Sequence, residues 1–191
     1  MANTTLNNLA VTTQPLVTGE ALAAMGDIGR SELVEGKIIM LSPTGWPHGK
    51  SERRFGHALG SFVDEHHLGE VLVGEVGIYT RRDPDTVRGA DVIFISNERL
   101  AQLTSAGFLD VAPELIVEIM SPDDRWSEVK QKIREYFSIG ALLVWVADPS
   151  DKTVSVYRSL TEVRVLAESD LLGGEEVLPG FSVSVASLFA D

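Results

Sequence analysis

The chain has 191 residues, 44% of them hydrophobic and 23% charged, an ordinary balance for one soluble globular domain burying about 70% of its unfolded surface. It contains no cysteine, which removes disulfides, thiolate zinc sites, iron–sulfur clusters and cysteine nucleophiles together. A formal net charge of −12 argues against general affinity for polyanions, and neither a membrane-length apolar run nor a secretion signal is visible, so the expectation is a soluble cytoplasmic protein with no membrane partner.

In chain order, residues 1–17 are rich in Thr, Asn and Ala without periodicity and read as a flexible N-terminal arm, leaving residues 18–191 as a single domain. Thr18 is placed to cap a short helix reaching Met25, and residues 32–41 read as a hairpin turning at Glu35-Gly36. From His48 to His66, the residues Phe55, Ala58, Leu59, Phe62 and Val63 fall at helical spacing. Residues 69–79 read as one or two strands broken at Gly74 and Gly77, and residues 81–88 as a polar loop.

An apolar strand carrying Asp91 follows, then a short helix at 96–103 and a second apolar strand, Leu-Ile-Val-Glu-Ile-Met, with Glu118 in its middle. Asp124 is the expected N-cap of the next helix, whose buried stripe is Trp126, Val129, Ile133, Tyr136 and Phe137 and whose end is Gly140. Strands at 142–147 and 153–157, shorter strands, and a terminal helix at 185–189 complete the chain. Strands alternating with two long helices predict an α/β fold with a mixed central sheet flanked by helices on both faces.

Glu118 is the residue that asks for an explanation, because an ionised carboxylate inside an apolar strand costs several kcal/mol, roughly, unless it is paired, protonated or bound to a metal. Asp91 poses the same question on a neighbouring strand. A shared divalent cation would hold both, and two hard oxygen donors suit Mg²⁺ or Mn²⁺ better than zinc. The competing expectation is structural: Asp91 at a solvent-facing strand end, and Glu118 paired with a buried arginine or lysine.

Several segments together resemble the Uma2 family of restriction-endonuclease-like proteins in the PD-(D/E)XK nuclease superfamily. They are Glu-Leu-Val-Glu-Gly at 32–36, His-Gly at 48–49, Ala-Asp-Val-Ile-Phe-Ile-Ser at 90–96, Leu-Ile-Val-Glu-Ile-Met-Ser-Pro at 115–122, Lys-Ile-Arg-Glu-Tyr at 132–136, and Val-Trp-Val-Ala-Asp-Pro at 144–149. The resemblance spans roughly residues 18–189 and implies a restriction-endonuclease-like core with endonuclease activity on nucleic acid, DNA being the expected substrate. It implies that Asp91 and Glu118 are catalytic metal ligands, with the backbone carbonyl of Ile119 as the third. Ala90 replaces the proline of the family's PD element, and Met120 stands where its lysine usually follows; the resemblance moves that lysine to Lys132 on the next helix, four residues before Tyr136.

Without the resemblance, Lys132 reads as a solvated helix residue paired with Glu128. His48 extends the apolar stripe of its helix and is a candidate phosphate contact or proton shuttle, while Glu35 is a candidate additional acid of the site. Cutting both strands of a duplex calls for two sites, so a homodimer is expected. Two other expectations remain open from the sequence: a non-catalytic dimeric binding or regulatory protein on a nuclease fold, which the absent lysine at 120 and the acidic total favour, and a hydrolase of smaller phosphate esters.

Overall fold

The computed structural model describes residues 15–122 and 124–190. Most of the expected arm, residues 1–14, lies outside the described residues. Leu16 and Val17, expected as part of it, are instead tied to the hairpin: Leu16 packs on Gly36, and the Val17 N–H donates to the Gly36 carbonyl at 2.8 Å.

Helix α1, Gly19–Ala24, begins where the Thr18 hydroxyl accepts the Ala21 N–H. The hairpin of β1, Ser31–Val34, and β2, Lys37–Met40, turns through Glu35 at φ 49° and Gly36 at φ 74°, the two left-handed residues that a tight two-residue turn needs. Helix α2, Trp46–His66, has Pro47 in its first turn and a buried stripe of His48, Ser51, Phe55, Leu59 and Val63, three or four residues apart. Strands β3, Gly69–Arg81, and β4, Thr86–Ser96, form a long antiparallel pair. After α3, Asn97–Leu100, come β5, Leu115–Ile119, then α4, Trp126–Ile139, and β6, Leu143–Asp148. Strands β7, Thr153–Tyr157, β8, Val163–Leu166, β9, Leu171–Gly174, and β10, Leu178–Ser184, lead to α5, Val185–Phe189.

Eight strands make one mixed sheet in the order β2-β1-β4-β5-β6-β7-β8, with β3 along the other edge of β4; β9 and β10 pair separately. Among the strands of the described residues, only the β5–β6 pair is parallel, and α4 is the crossover between them. Alternate residues of these strands face opposite ways. Leu115, Val117, Ile119, Leu143, Trp145 and Ala147 pack with α2, while Ile116, Val144 and Val146 pack with Val129, Ile133 and Tyr136 of α4. The two long helices therefore cover the two faces of the sheet, as expected.

The sheet opens at one place. Both β1 and β5 lie on the same edge of β4, but β1 pairs only at Val87 and β5 only at Val92, Ile93 and Phe94. The stretch 88–91 between them is bordered by side chains rather than by a strand. That notch positions the site described below.

Four details correct the sequence expectations. Strand β3 is unbroken and carries a bulge at Gly74-Glu75, whereas Gly77 stays in the ladder opposite Gly89, and the Phe108 ring packs where its side chain would stand. The expected polar loop is shorter, since β4 already begins at Thr86. Asp124 does not cap α4: its carboxylate takes the Ser121 N–H at 2.7 Å, and Arg125 is the N-cap residue. Trp126, in the first turn of α4, is 42% exposed rather than buried. Among the described residues, no helix is long and apolar enough to cross a membrane.

Candidate active site

Asp91 lies inside β4 and is 3% exposed. Beyond the Val92–Val117 pair, β5 no longer bonds to β4 through its backbone. The Ile119 N–H instead donates to Asp91 Oδ2 at 2.6 Å, while Asp91 Oδ1 lies 3.1 Å from His48 Nε2. His48 stands on the buried face of α2, and its other ring nitrogen is 3.2 Å from Ser121 Oγ. Burial alone would raise the Asp91 pKa, but the hydrogen bond and charge of His48, with Lys132 and the Ile119 N–H, hold it below the usual carboxylate range. Burial likewise pulls His48 down, yet Asp91 outweighs it and leaves the imidazole raised.

Glu75 reaches the same place by way of the bulge. Val73 pairs with Val92 and Val76 with Ala90, so Gly74 and Glu75 together stand opposite Asp91. Both are left-handed, Gly74 at φ 90° and Glu75 at φ 61°, and a non-glycine residue accepts that conformation only where its surroundings compel it. Gly89 makes room: a β-carbon there would sit 2.7 Å from Glu75 Oε2. Burial, then the charge of Asp91, push the Glu75 carboxyl up to about 7, against the pull of Arg30, whose guanidinium donates to it. One ligand atom each from His48, Glu75 and Asp91 lies within 4.8 Å of the other two. Two carboxylates and an imidazole form a donor set that fits Mg²⁺ or Mn²⁺, the nitrogen favouring Mn²⁺.

Glu118 leaves the sheet on the opposite face. Its Oε2 accepts from Lys132 Nζ at 2.8 Å and its Oε1 from the Tyr136 hydroxyl at 2.5 Å. Lys132 also donates to the Gly89 carbonyl at 2.8 Å and lies 3.4 Å from Glu32 Oε1, so its ammonium is held at the notch in the sheet. Glu32 accepts the Gly89 N–H and bonds Arg88, which makes a two-pronged pair with Glu135. Burial, with Asp91 adding to it and Lys132 and Tyr136 opposing it, pushes Glu118 up to about 7. Burial acts to lower Lys132, but Glu118 and Glu32 outweigh it and raise the ammonium above its ordinary value. Burial first, then Glu118, raise the Tyr136 hydroxyl well above its ordinary value.

The structure thus joins Asp91 to His48 and Glu118 to Lys132 and Tyr136, on adjacent strands but toward helices on opposite faces. Asp91 is not at a solvent-facing strand end, and Lys132 is not a solvated partner of Glu128. Glu118 does pair with a lysine, the partly buried Lys132. Ile119 contributes its N–H to Asp91. Glu35 stands apart from this network: its side chain is 62% exposed and paired with Arg81. The acid of Glu-Leu-Val-Glu that turns inward is Glu32. Glu75, Glu32 and Arg88 are the residues that sequence reasoning missed; Glu75 follows a glycine in β3, but so does Glu70, so no local signal singles it out.

A family model described as "Uma2: Putative restriction endonuclease" matches residues 19–186. Among solved structures, the chain is similar to one described as a "putative nuclease belonging to DUF820" from Anabaena variabilis. The TM-score is 0.71 at 24% identity, over 83% of this chain and 89% of that one, and the likeness is one of fold. Nothing matches among curated proteins.

Proposed function

The chain belongs to the Uma2 family, and on that premise we propose that it is a cytoplasmic, divalent-cation-dependent nuclease that hydrolyses phosphodiester bonds in DNA. The observation that carries the reading is the grouping of buried His48 and Asp91 with half-buried Glu75 at the notch where β4 and β5 part, next to the Lys132–Glu118 pair. Asp91, Glu75 and His48 would hold Mg²⁺ or Mn²⁺; Glu118, which the family resemblance implies as a further ligand with the Ile119 carbonyl, would have to turn from Lys132 and Tyr136 to reach the cation. Such a cation supplies Lewis-acid neutralisation of charge and a readily deprotonated water.

The protein's own groups supply the rest. Lys132, fixed by Glu118, Glu32 and the Gly89 carbonyl, presents a positive charge in a partly buried notch, where charge that develops on a phosphoryl group would be stabilised more strongly than in open solvent. Tyr136 holds Glu118 in place for that pairing. His48 is located by Asp91 at one nitrogen and Ser121 at the other, which fixes its ring at the cluster. Two such sites facing opposite strands of a duplex would come from a symmetric homodimer.

A second reading has an observation of its own: both oxygens of Glu118 are already engaged, and Met120 occupies the usual lysine position, as befits a dimeric binding protein on a nuclease fold. Cleavage of labelled DNA in Mg²⁺ or Mn²⁺, abolished by EDTA and by Asp91→Ala, supports the nuclease. Cleavage that survives both Asp91→Ala and Glu118→Ala overturns it. Cation-independent DNA binding without cleavage would favour the binding protein.

A further inference from the structure

Arg30 immediately precedes β1 and takes no part in the chemistry assigned so far. Its backbone carbonyl accepts the Leu41 N–H at 2.9 Å, which fixes the base of the side chain to the end of the hairpin. Its guanidinium donates to Glu75 Oε1 through one terminal nitrogen and to the Ser42 carbonyl through the other, at 2.9 Å for the latter. The third donor, Nε, is buried without a hydrogen-bond partner among the described residues. The side chain is 29% exposed, against 17% for Lys132 and 10% for Arg88, both of which are committed to buried acids.

Resting on the nuclease reading, we propose that Arg30 is the clamp for the substrate phosphate, and that Glu75 holds it in reserve until a cation takes the carboxylate. Arg30 holds Glu75 Oε1, so a divalent cation that takes that oxygen, or chelates the carboxylate through both, must displace it. Arg30, once released, lies beside the Asp91 cluster with a planar fork whose Nε and terminal nitrogen match two phosphate oxygens, and that pose would satisfy the donor now left unpaired. The exchange also answers a charge problem. Neutralising one acid and freeing one cation at the mouth of the site would lower its opposition to DNA in a chain of net charge −12. Because binding linkage is reciprocal, the cation must tighten DNA binding and DNA must tighten cation binding by the same factor.

The test pairs calorimetric titration of Mn²⁺ into the DNA-free protein with binding of a fluorescein-labelled DNA duplex, in EDTA and in Ca²⁺. Arg30→Ala removes the competitor for Glu75, so Mn²⁺ affinity should rise at least about fivefold while the Ca²⁺-induced gain in DNA affinity falls by at least that factor, the low end of measured couplings. The log–log salt slope of DNA binding in Ca²⁺ should flatten by about 0.9, one phosphate contact. Glu75→Gln should do the opposite in EDTA, tightening DNA binding because Arg30 is free without any cation; it decides the matter alone should Arg30→Ala fail to fold. A smaller change in any of these quantities, or weaker Mn²⁺ binding by Arg30→Ala as loss of a structural prop would give, overturns the clamp. Wild-type protein that binds neither Mn²⁺ nor DNA overturns the nuclease reading itself, whereas wild type that binds both, with variants unchanged, overturns only this inference.

Discussion

Replacing Glu118 by glutamine should change the pH dependence of stability in a way that can be worked from the structure. The carboxyl is buried, and its pKa is pushed from 4.5 up to about 7 by burial and by Asp91, against Lys132 and Tyr136. A carboxyl whose folded pKa exceeds its unfolded one contributes stability that is complete below 4.5 and is lost as pH rises through 7. At about 1.4 kcal/mol per pH unit, the loss comes to about 3 kcal/mol for this one group. Glutamine keeps the shape and an acceptor for Tyr136 but has no proton to lose. Lys132 stays charged throughout, because Glu32 still lies 3.4 Å away. The stability of Glu118→Gln minus that of wild type should therefore climb by about 3 kcal/mol between pH 4.5 and roughly 8. Urea unfolding of both proteins across that range measures the difference directly. Parallel curves would show that Glu118 is not a strained acid and would refute the electrostatic account of the site.

Further outcomes follow from the same contacts. Asp91→Asn should abolish the rise in stability that Mn²⁺ gives the wild type, about 2.7 kcal/mol at a hundredfold excess over Kd, and thermal melts with and without the ion will read it. Glu32→Ala strips the Gly89 N–H, Arg88 and Lys132 of a shared acceptor and should cost about 3 to 5 kcal/mol in denaturant melts, the usual penalty for orphaning a buried charge; a loss under about 1 kcal/mol would contradict the network. Gly140 closes α4 at φ 102° with open space around it, so Gly140→Ala should cost about 1 kcal/mol from backbone strain alone, again by melts. Trp145 is fully buried and its Nε1 has no partner among the described residues, so Trp145→Phe removes an unsatisfied donor along with packing and should cost less than about 2 kcal/mol; a cavity-sized loss above about 3 kcal/mol would contradict that.

Helix α2 was legible from the spacing of Phe55, Leu59 and Val63, and the hairpin from Glu35-Gly36, because helical period and turn chemistry are local properties. The α4 stripe of Val129, Ile133 and Tyr136 was equally plain, but its first residue was not: Trp126 lies in a turn that the sheet does not cover. Asp124 matches the local pattern of an N-cap, yet the Ser121 N–H competes for its carboxylate and wins. Asp91 and Glu118 stood out because ionised acids in apolar strands demand partners. The identity of those partners was less legible, since it depends on register between distant strands. Which acid of Glu-Leu-Val-Glu turns inward is decided by the pairing of Leu33 with Val87, and that register leaves Glu32 beside Arg88 and Gly89 while the turn sends Glu35 to solvent. Glu75 was invisible for the same reason: only the extra residue in β3 opposite Asp91 aims it at His48.

Crystals soaked in Mn²⁺ and measured for anomalous scattering test the central claim most directly. The account predicts a peak within about 2.0 to 2.3 Å of an Asp91 carboxylate oxygen, with His48 or Glu75 beside it and the Arg30 guanidinium withdrawn from Glu75. No peak at saturating Mn²⁺, or peaks confined to exposed acids while Arg30 stays on Glu75, would contradict it.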